Sequence, residues 1–371
     1  MRIRIVDPPA YTPPYDRSLS AALARGGAEV ELVTSPFVHG EVPAAVGYTV
    51  SESFYRRSGR AGLPAPLRRA GRASEHLVDM LSLRRDGAAD LTHYQWLTVP
   101  ALDSLLISRR SPRVLTPHGW LRREAWRERP GRGWRRLLDT MDAIVALSEY
   151  GAARLTDSAG VPAERVHVIP HGAFDYLTRI SDPAPLPPEL AGAEGPVILA
   201  FGLVRPYKGV DLLVDAMPEL EGAELWIVGR PLGVDLGLLR ARAAATGARV
   251  RFVSRFVADR EIPSIFERAD IVALPYRDAE QSGVLYTALA FGKPIVVSDV
   301  GGFPEIATRG AARLVSSGLV APLAATLGDL IADPQARAAL GAAAAAAAAG
   351  PYSWDRVAAE HLALYRQLSG S

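Results

Sequence analysis

The sequence predicts an α/β protein built from two parallel-sheet halves. Short apolar runs alternate with amphipathic stretches along the whole chain, and the runs are apolar throughout rather than every second residue. The pattern breaks at the Pro-, Ala- and Gly-rich stretch "LTRISDPAPLPPELAGAEG" and then begins again. Strands that alternate with helices form parallel sheets, and uninterrupted apolar strands suit a sheet covered on both faces. A chain of 371 residues is also too long for one ordinary core and accommodates two.

In the first half, "IRIV" reads as a strand, "DRSLSAALARGG" as a helix ended by glycine, and "VELVT" as the next strand. After a basic, Pro/Gly-rich region come the strand candidates "ADLTHYQW", "RVLTPH", "AIVALS" and "RVHVIP". The second series is "VILAFG", "ELWIVG", "RVRFVS", "IVALPY", "PIVVS" and "ARLVS". The alanine run at 342–349 reads as a helix of the strongest helix former, and "SWDRVAAEHLALYRQL" as an amphipathic helix. The expected division is 1–184, 185–352 and a terminal helix at 353–371.

Composition narrows the function. A net charge of +2 argues against a dedicated nucleic-acid binder, and the absence of cysteine removes disulfides and thiolate metal sites. No signal peptide is legible at the start and no apolar run is long enough to span a membrane, so a cytoplasmic protein is expected. Of 42 basic residues only Lys208 and Lys293 are lysines. A site that needs a compact point charge would retain lysine against drift to arginine, whose guanidinium is a flat fork.

In open parallel sheets ligands bind beyond the carboxyl ends of strands, so the informative residues follow strands. "VILAFGLVRPYKGVDLLVDAM" reads strand, loop, helix, and its loop brings Arg205, Lys208 and Gly209 to a helix start. Two cations and helix N–H groups make a phosphate site; solvated surface cations are the plainer reading. "DIVALPYRDAEQSGVLYTALAFG" repeats the shape, with Ser282 and Gly283 at the helix start. There Ser282 serves as an N-cap, presents amides to a phosphate, or does both. Two such cradles suit a diphosphate. G-x-x-x-x-G-K-[ST], G-x-G-x-x-G, D-x-D, H-E-x-x-H and G-x-S-x-G are all absent, so nothing calls for a P-loop, a dinucleotide, a metal or a serine nucleophile.

These segments, with "VHVIPHGAF", "YSWDRVAAEHLALYR" and the N-terminal "IVDPPAYTPPYDRSLSAALARGGAEVELVTS", resemble glycosyltransferase family 4, the retaining sugar transferases of the GT-B fold. The resemblance implies two Rossmann-like domains facing across a cleft and a last helix that crosses back to the first. It also implies a nucleotide-diphosphate sugar as co-substrate, a UDP- or GDP-sugar above all, with no metal and no other cofactor. Arg205 and Lys208 would then neutralise the leaving diphosphate, with Ser282 and Gly283 supplying amides. Phe256 and Val257, after "RVRFVS", match the loop that holds the base, and His118 matches the histidine that faces the transferred sugar, or is a loop-end histidine that only satisfies backbone groups. Glu280 lies near the first of the family's two glutamates, or is a solvated loop acid, and Thr287 stands where the second is expected. Gln281 completes a Gln-Ser-Gly variant of the motif. Tyr15 and Asp16, in a loop that replaces the usual glycine-rich one, would reach the ligand.

The acceptor is less defined. Residues 120–136 carry seven arginines, two glutamates and three tryptophans, and arginines at 56, 57, 60, 68, 69 and 72 add a second basic stretch. Peripheral contact with an anionic membrane face and a lipid-linked acceptor is one expectation, and a solvated helix face with a glycan or small-molecule acceptor is the other. A nucleotide-sugar 2-epimerase and a non-catalytic nucleotide-sugar-binding protein are the competing functions.

Overall fold

The computed structural model describes residues 1–38, 40–58, 65–86, 89–118 and 131–370, with the side chains of 65–70 outside that description. Contacts divide the chain into two units, 1–172 with 354–371, and 173–353.

The first unit holds a seven-stranded sheet of β1 (Arg2–Asp7), β2 (Glu29–Thr34), β3 (Thr49–Glu52), β4 (Leu91–Tyr94), β5 (Arg113–Leu115), β6 (Ala143–Ala146) and β7 (Val166–Val168). The spatial order is β3-β2-β1-β4-β5-β6-β7, and every paired neighbour is parallel. β4 and β6 are buried at every position, as strands covered on both faces must be. The second unit holds β8 (Val197–Phe201), β9 (Glu224–Val228), β10 (Arg249–Val253), β11 (Ile271–Leu274), β12 (Ile295–Ser298) and β13 (Arg313–Val315), in the order β10-β9-β8-β11-β12-β13. Each sheet therefore reverses direction of growth once, between β1 and β4 in the first unit and between β8 and β11 in the second. Such a switch point opens a crevice at the strands' carboxyl ends.

The terminal helix Trp354–Ser369 belongs to the first unit, as the sequence anticipates. Its buried face carries Trp354, Val357, Ala358, His361, Leu362, Leu364 and Tyr365. Tyr365 Oη lies 2.6 Å from His93 Nδ1 on β4, and Arg25 donates to Asp355 at 2.6 Å. Trp354 packs against the backbone of Gly172, where a Cβ would run into the indole ring. Gly172→Ala is accordingly expected to cost about 1–3 kcal/mol through overpacking, read as a lower urea midpoint. An unchanged midpoint would show that the helix docks elsewhere.

The boundary falls at 172/173 rather than at 184. Residues 173–184 have linker composition but pack on the second unit. Ala173 N donates to Tyr352 O at 2.7 Å, Tyr176 Oη to Asp259 at 2.8 Å, and Ala184 N to Arg260 O at 2.7 Å. The strand β3 has no counterpart in the sequence reading; its four residues are half-buried or exposed and lie at the sheet edge. The alanine run lies inside the helix Pro334–Ala349 as expected.

Candidate functional site

In the second unit, four loops gather the predicted donor-site residues at the carboxyl ends of the strands. After β8, the chain makes a tight turn at Pro206–Lys208 and enters the helix Val210–Ala216 through Gly209. Gly209 is left-handed (φ 63°), and a Cβ there would land on the Pro275 carbonyl oxygen. Only glycine permits the two loops after β8 and β11 to lie this close. Lys208 is buried (8% exposed); its Nζ lies 3.4 Å from Phe201 O and 5.2 Å from the centre of the Tyr276 ring. Arg205 is half-buried on the same turn and lines a cavity of about 280 Å³ with Asp211, Arg242 and Arg277. The lysine faces Gly202 and Tyr276, whereas the arginine faces that cavity, with Val204 and Val210 common to both linings.

After β11, the chain runs through Glu280, Gln281 and Ser282 into the helix Gly283–Ala290. Ser282 is extended (φ −143°, ψ 119°) and does not cap the helix. Its Oγ lies 3.1 Å from Tyr276 Oη instead, so the first-turn amides are not taken by this side chain. Tyr286 Oη donates to Gln281 Oε1 at 2.7 Å, and Thr287 Oγ1 donates to Gly283 O at 2.9 Å. Thr287 and Glu280 are both buried, at 5% and 8% exposed. The "DVGG" after β12 exists to cover this loop. Gly301 is left-handed, a Cβ there would strike Ala279 O, and Gly302 N donates to Glu280 O at 3.2 Å. After β10, Phe256 is 43% exposed and Val257 is buried, while Arg255 is committed to Glu261 by two hydrogen bonds of 2.9 and 2.6 Å. The second lysine has a structural role: Lys293 Nζ donates to Glu267 O at 2.9 Å, and burial holds its pKa below the ordinary lysine value.

In the first unit, His118 follows β5 and is 8% exposed. Its ring stacks on Trp96 with centroids 5.6 Å apart, and its Nε2 lies 2.8 Å from Gln95 Oε1. Burial, helped by His171, pushes its pKa down to about 3, so the ring is neutral. His171 donates from Nδ1 to Gly172 O at 2.6 Å, and burial lowers its pKa to about 4. Tyr15 and Asp16 depart from expectation. Each is 1% exposed, so neither reaches out to a ligand. The Tyr15 ring fills the space among His118, His171 and Trp354, at 4.6, 4.8 and 5.2 Å. Asp16 forms a buried carboxyl pair with Asp7 at the end of β1. Burial raises Asp7 to about 6 and, with the charge of Asp7, raises Asp16 well above the usual range. Of the arginine-rich segment, 119–130 lies outside the described residues, as do residue 60 and the side chains at 68 and 69.

Sequence reasoning missed Asp7, Gln95, Trp96, Tyr276, and the pair Asp211 and Arg277. Their shared signal was position, since all but Asp211 fall at or just after a strand's carboxyl end.

Two doubly wound units define an α/β protein of two Rossmann-like domains, with a buried lysine and a helix start not capped by Ser282 at the switch point of the second. Residues 17–173 match the family described as Glycosyltransferase Family 4, and 195–333 match Glycosyl transferases group 1. A curated relative, D-inositol 3-phosphate glycosyltransferase of Xylanimonas cellulosilytica, is 31% identical over 95% of this chain and 90% of its own length. The GDP-mannose-dependent alpha-(1-6)-phosphatidylinositol monomannoside mannosyltransferase of Mycolicibacterium smegmatis is 31% identical over 56% of this chain and 58% of its own. Among solved structures, sucrose-phosphate synthase from Thermosynechococcus elongatus superposes with a TM-score of 0.74 at 18% identity, covering 100% and 99% of the two chains. Anabaena HepE in complex with UDP gives 0.72 at 20% identity, covering 99% and 100%. The chain belongs to glycosyltransferase family 4 and has the GT-B fold; it is a glycosyltransferase.

Proposed function

We propose that the protein is a retaining, metal-independent glycosyltransferase that moves a sugar from a UDP- or GDP-sugar to an acceptor hydroxyl. The observation that carries this reading is Lys208, a buried amine at the β8–β11 switch point beside a helix whose first-turn amides are not capped by Ser282. The bond between the anomeric carbon and the diphosphate oxygen breaks, the acceptor oxygen bonds to that carbon, and the acceptor's proton passes to an oxygen of the leaving phosphate, on which negative charge grows in the transition state. Lys208 and the amides of the Gly283 turn meet that charge without reorganising, and Arg205, facing the neighbouring cavity on the same turn, adds positive potential from further away. The exposed face of Phe256 suits stacking on the base. His118, neutral and fixed by Trp96 and Gln95, is the group proposed to meet the transferred sugar as a hydrogen-bond partner. In this reading the positive charge of Lys208 and Arg205 would do the work that a metal ion does in other transferases. The names of the relatives make inositol phosphates and phosphatidylinositol mannosides the acceptors to test first. Among the described residues no helix is long and apolar enough to cross a membrane.

Calorimetric titration of UDP, GDP, dTDP and ADP into wild type and Lys208→Ala tests the donor half. One nucleoside diphosphate is expected to bind, with the variant losing at least tenfold in affinity. Equal binding by the two proteins, or no binding by either, would remove the phosphate assignment.

A further inference from the structure

The two loops that carry the proposed diphosphate ligands are joined by one side chain. Arg277, two residues past Pro275 at the end of β11, reaches across to the turn that holds Lys208. Its backbone N donates to Tyr207 O at 2.7 Å, and Nη1 donates to Pro206 O at 3.2 Å. Nη1 and Nη2 then donate to the two oxygens of Asp211, at 2.8 and 2.7 Å. The guanidinium thus grips a carbonyl just before Lys208 and a carboxylate just after it. Asp211 sits in the first turn of the helix Val210–Ala216, and Arg277 holds its carboxyl below the ordinary aspartate range. A bidentate fork fixes both distance and plane, which an ammonium cannot do. The Tyr207 and Tyr276 rings meet edge to face at 5.8 Å alongside it.

We infer that Arg277 and Asp211 are positioning residues for donor binding: their pairing sets the spacing between Lys208 and the helix start at Ser282–Gly283, and it keeps Asp211 away from Arg205. The second part follows from placement. Arg205 lines the same cavity as Asp211 and Arg277 and makes no ion pair among the described residues. A carboxylate released from Arg277 would compete with substrate phosphate for Arg205.

The inference rests on the diphosphate reading proposed above, and the experiment separates the two. The nucleoside diphosphate that binds wild type is titrated into Arg277→Gln, Arg277→Lys and the double variant Arg277→Gln/Asp211→Asn. The matching nucleoside, without phosphates, is followed by ligand-observed NMR. Arg277→Gln is expected to lose roughly tenfold or more for the diphosphate and less than twofold for the nucleoside, with Arg277→Lys between it and wild type. The double variant is expected to bind the diphosphate better than Arg277→Gln alone, because no free carboxylate remains. A merely structural pair predicts the reverse: a lower thermal midpoint with diphosphate and nucleoside affected alike, and a double variant no better than the single one. If Lys208→Ala loses affinity while the Arg277 variants bind as wild type, only the positioning role is overturned. If wild type binds no nucleoside diphosphate, both readings fall.

Discussion

Replacing Lys208 with alanine is expected to lower the rate of sugar transfer by about 10²–10³, the loss typical when one preorganised contact to a developing negative charge is removed. The expectation follows from where the amine is held. A lysine at 8% exposure has given up most of its water, and its Nζ is held 3.4 Å from Phe201 O and 5.2 Å from the centre of the Tyr276 ring. An amine fixed in this way meets a leaving diphosphate without reorganising, and most strongly as the bond to the sugar breaks. Arginine should not rescue the variant. Gly202 leaves the space beside Nζ open, since a Cβ there would come within 3.1 Å of it, but a flat guanidinium fork does not reproduce a compact point charge. Arg205, half-buried and facing the neighbouring cavity, should cost less when truncated. The measurement is the single-turnover rate with saturating donor for wild type, Lys208→Ala and Lys208→Arg. A rate for Lys208→Ala within twofold of wild type would place the charge stabilisation elsewhere.

Much of this was legible because parallel sheets tie sequence to position. An apolar run followed by loop and helix fixes where the loop ends up, so Arg205, Lys208, Ser282 and Gly283 could be assigned to strand ends before any geometry was known. The scarcity of lysine marked Lys208 but marked Lys293 equally. Only burial and partners separate an amine at a switch point from one that ties off the Glu267 carbonyl. What the sequence could not show is pairing between loops. Arg277 and Asp211 are separated by 66 positions and meet because β8 and β11 are neighbours in the sheet. Tyr15 misled for a related reason: a tyrosine after two prolines reads as a loop residue, yet the first turn of Pro13–Arg25 points it into a cluster of rings contributed by residues 118, 171 and 354. The boundary near 184 failed because proline-rich composition signals irregular backbone and is silent on which surface that backbone covers.

The first unit should lose stability as the pH falls below about 6.5, the unfolded histidine value. Four of its histidines, His93, His118, His171 and His361, are buried at 0%, 8%, 6% and 0% exposure. Burial holds their pKa values down, to about 3 for His118, to about 4 for His171 and His361, and well below the usual value for His93. A group whose folded pKa is depressed in this way is neutral when folded and binds a proton on unfolding. Each therefore contributes stability that is present above 6.5 and is lost as the pH falls toward its folded value. The carboxyl pair acts in the opposite direction. Asp7, raised to about 6, and Asp16, raised well above the usual aspartate range, hold protons in the folded state that the unfolded chain has already released, so acid relieves their cost. The depressed histidines outnumber the raised carboxyls, so the net effect is a proton taken up on unfolding and a loss of stability as the pH falls below about 6.5. His361 isolates one of them. It lies on the terminal helix, its Nδ1 donates to Val357 O at 2.8 Å, and it packs 5.6 Å from the His93 ring. His361→Leu should reduce the slope of the unfolding midpoint against pH by about one proton while leaving stability at pH 7.5 comparatively unchanged. NMR titration of the imidazole C–H signals gives the direct check. Folded-state signals for His93 and His361 that do not shift between pH 7.5 and 5 support the argument, and a midpoint near 6.5 for either ring would overturn it.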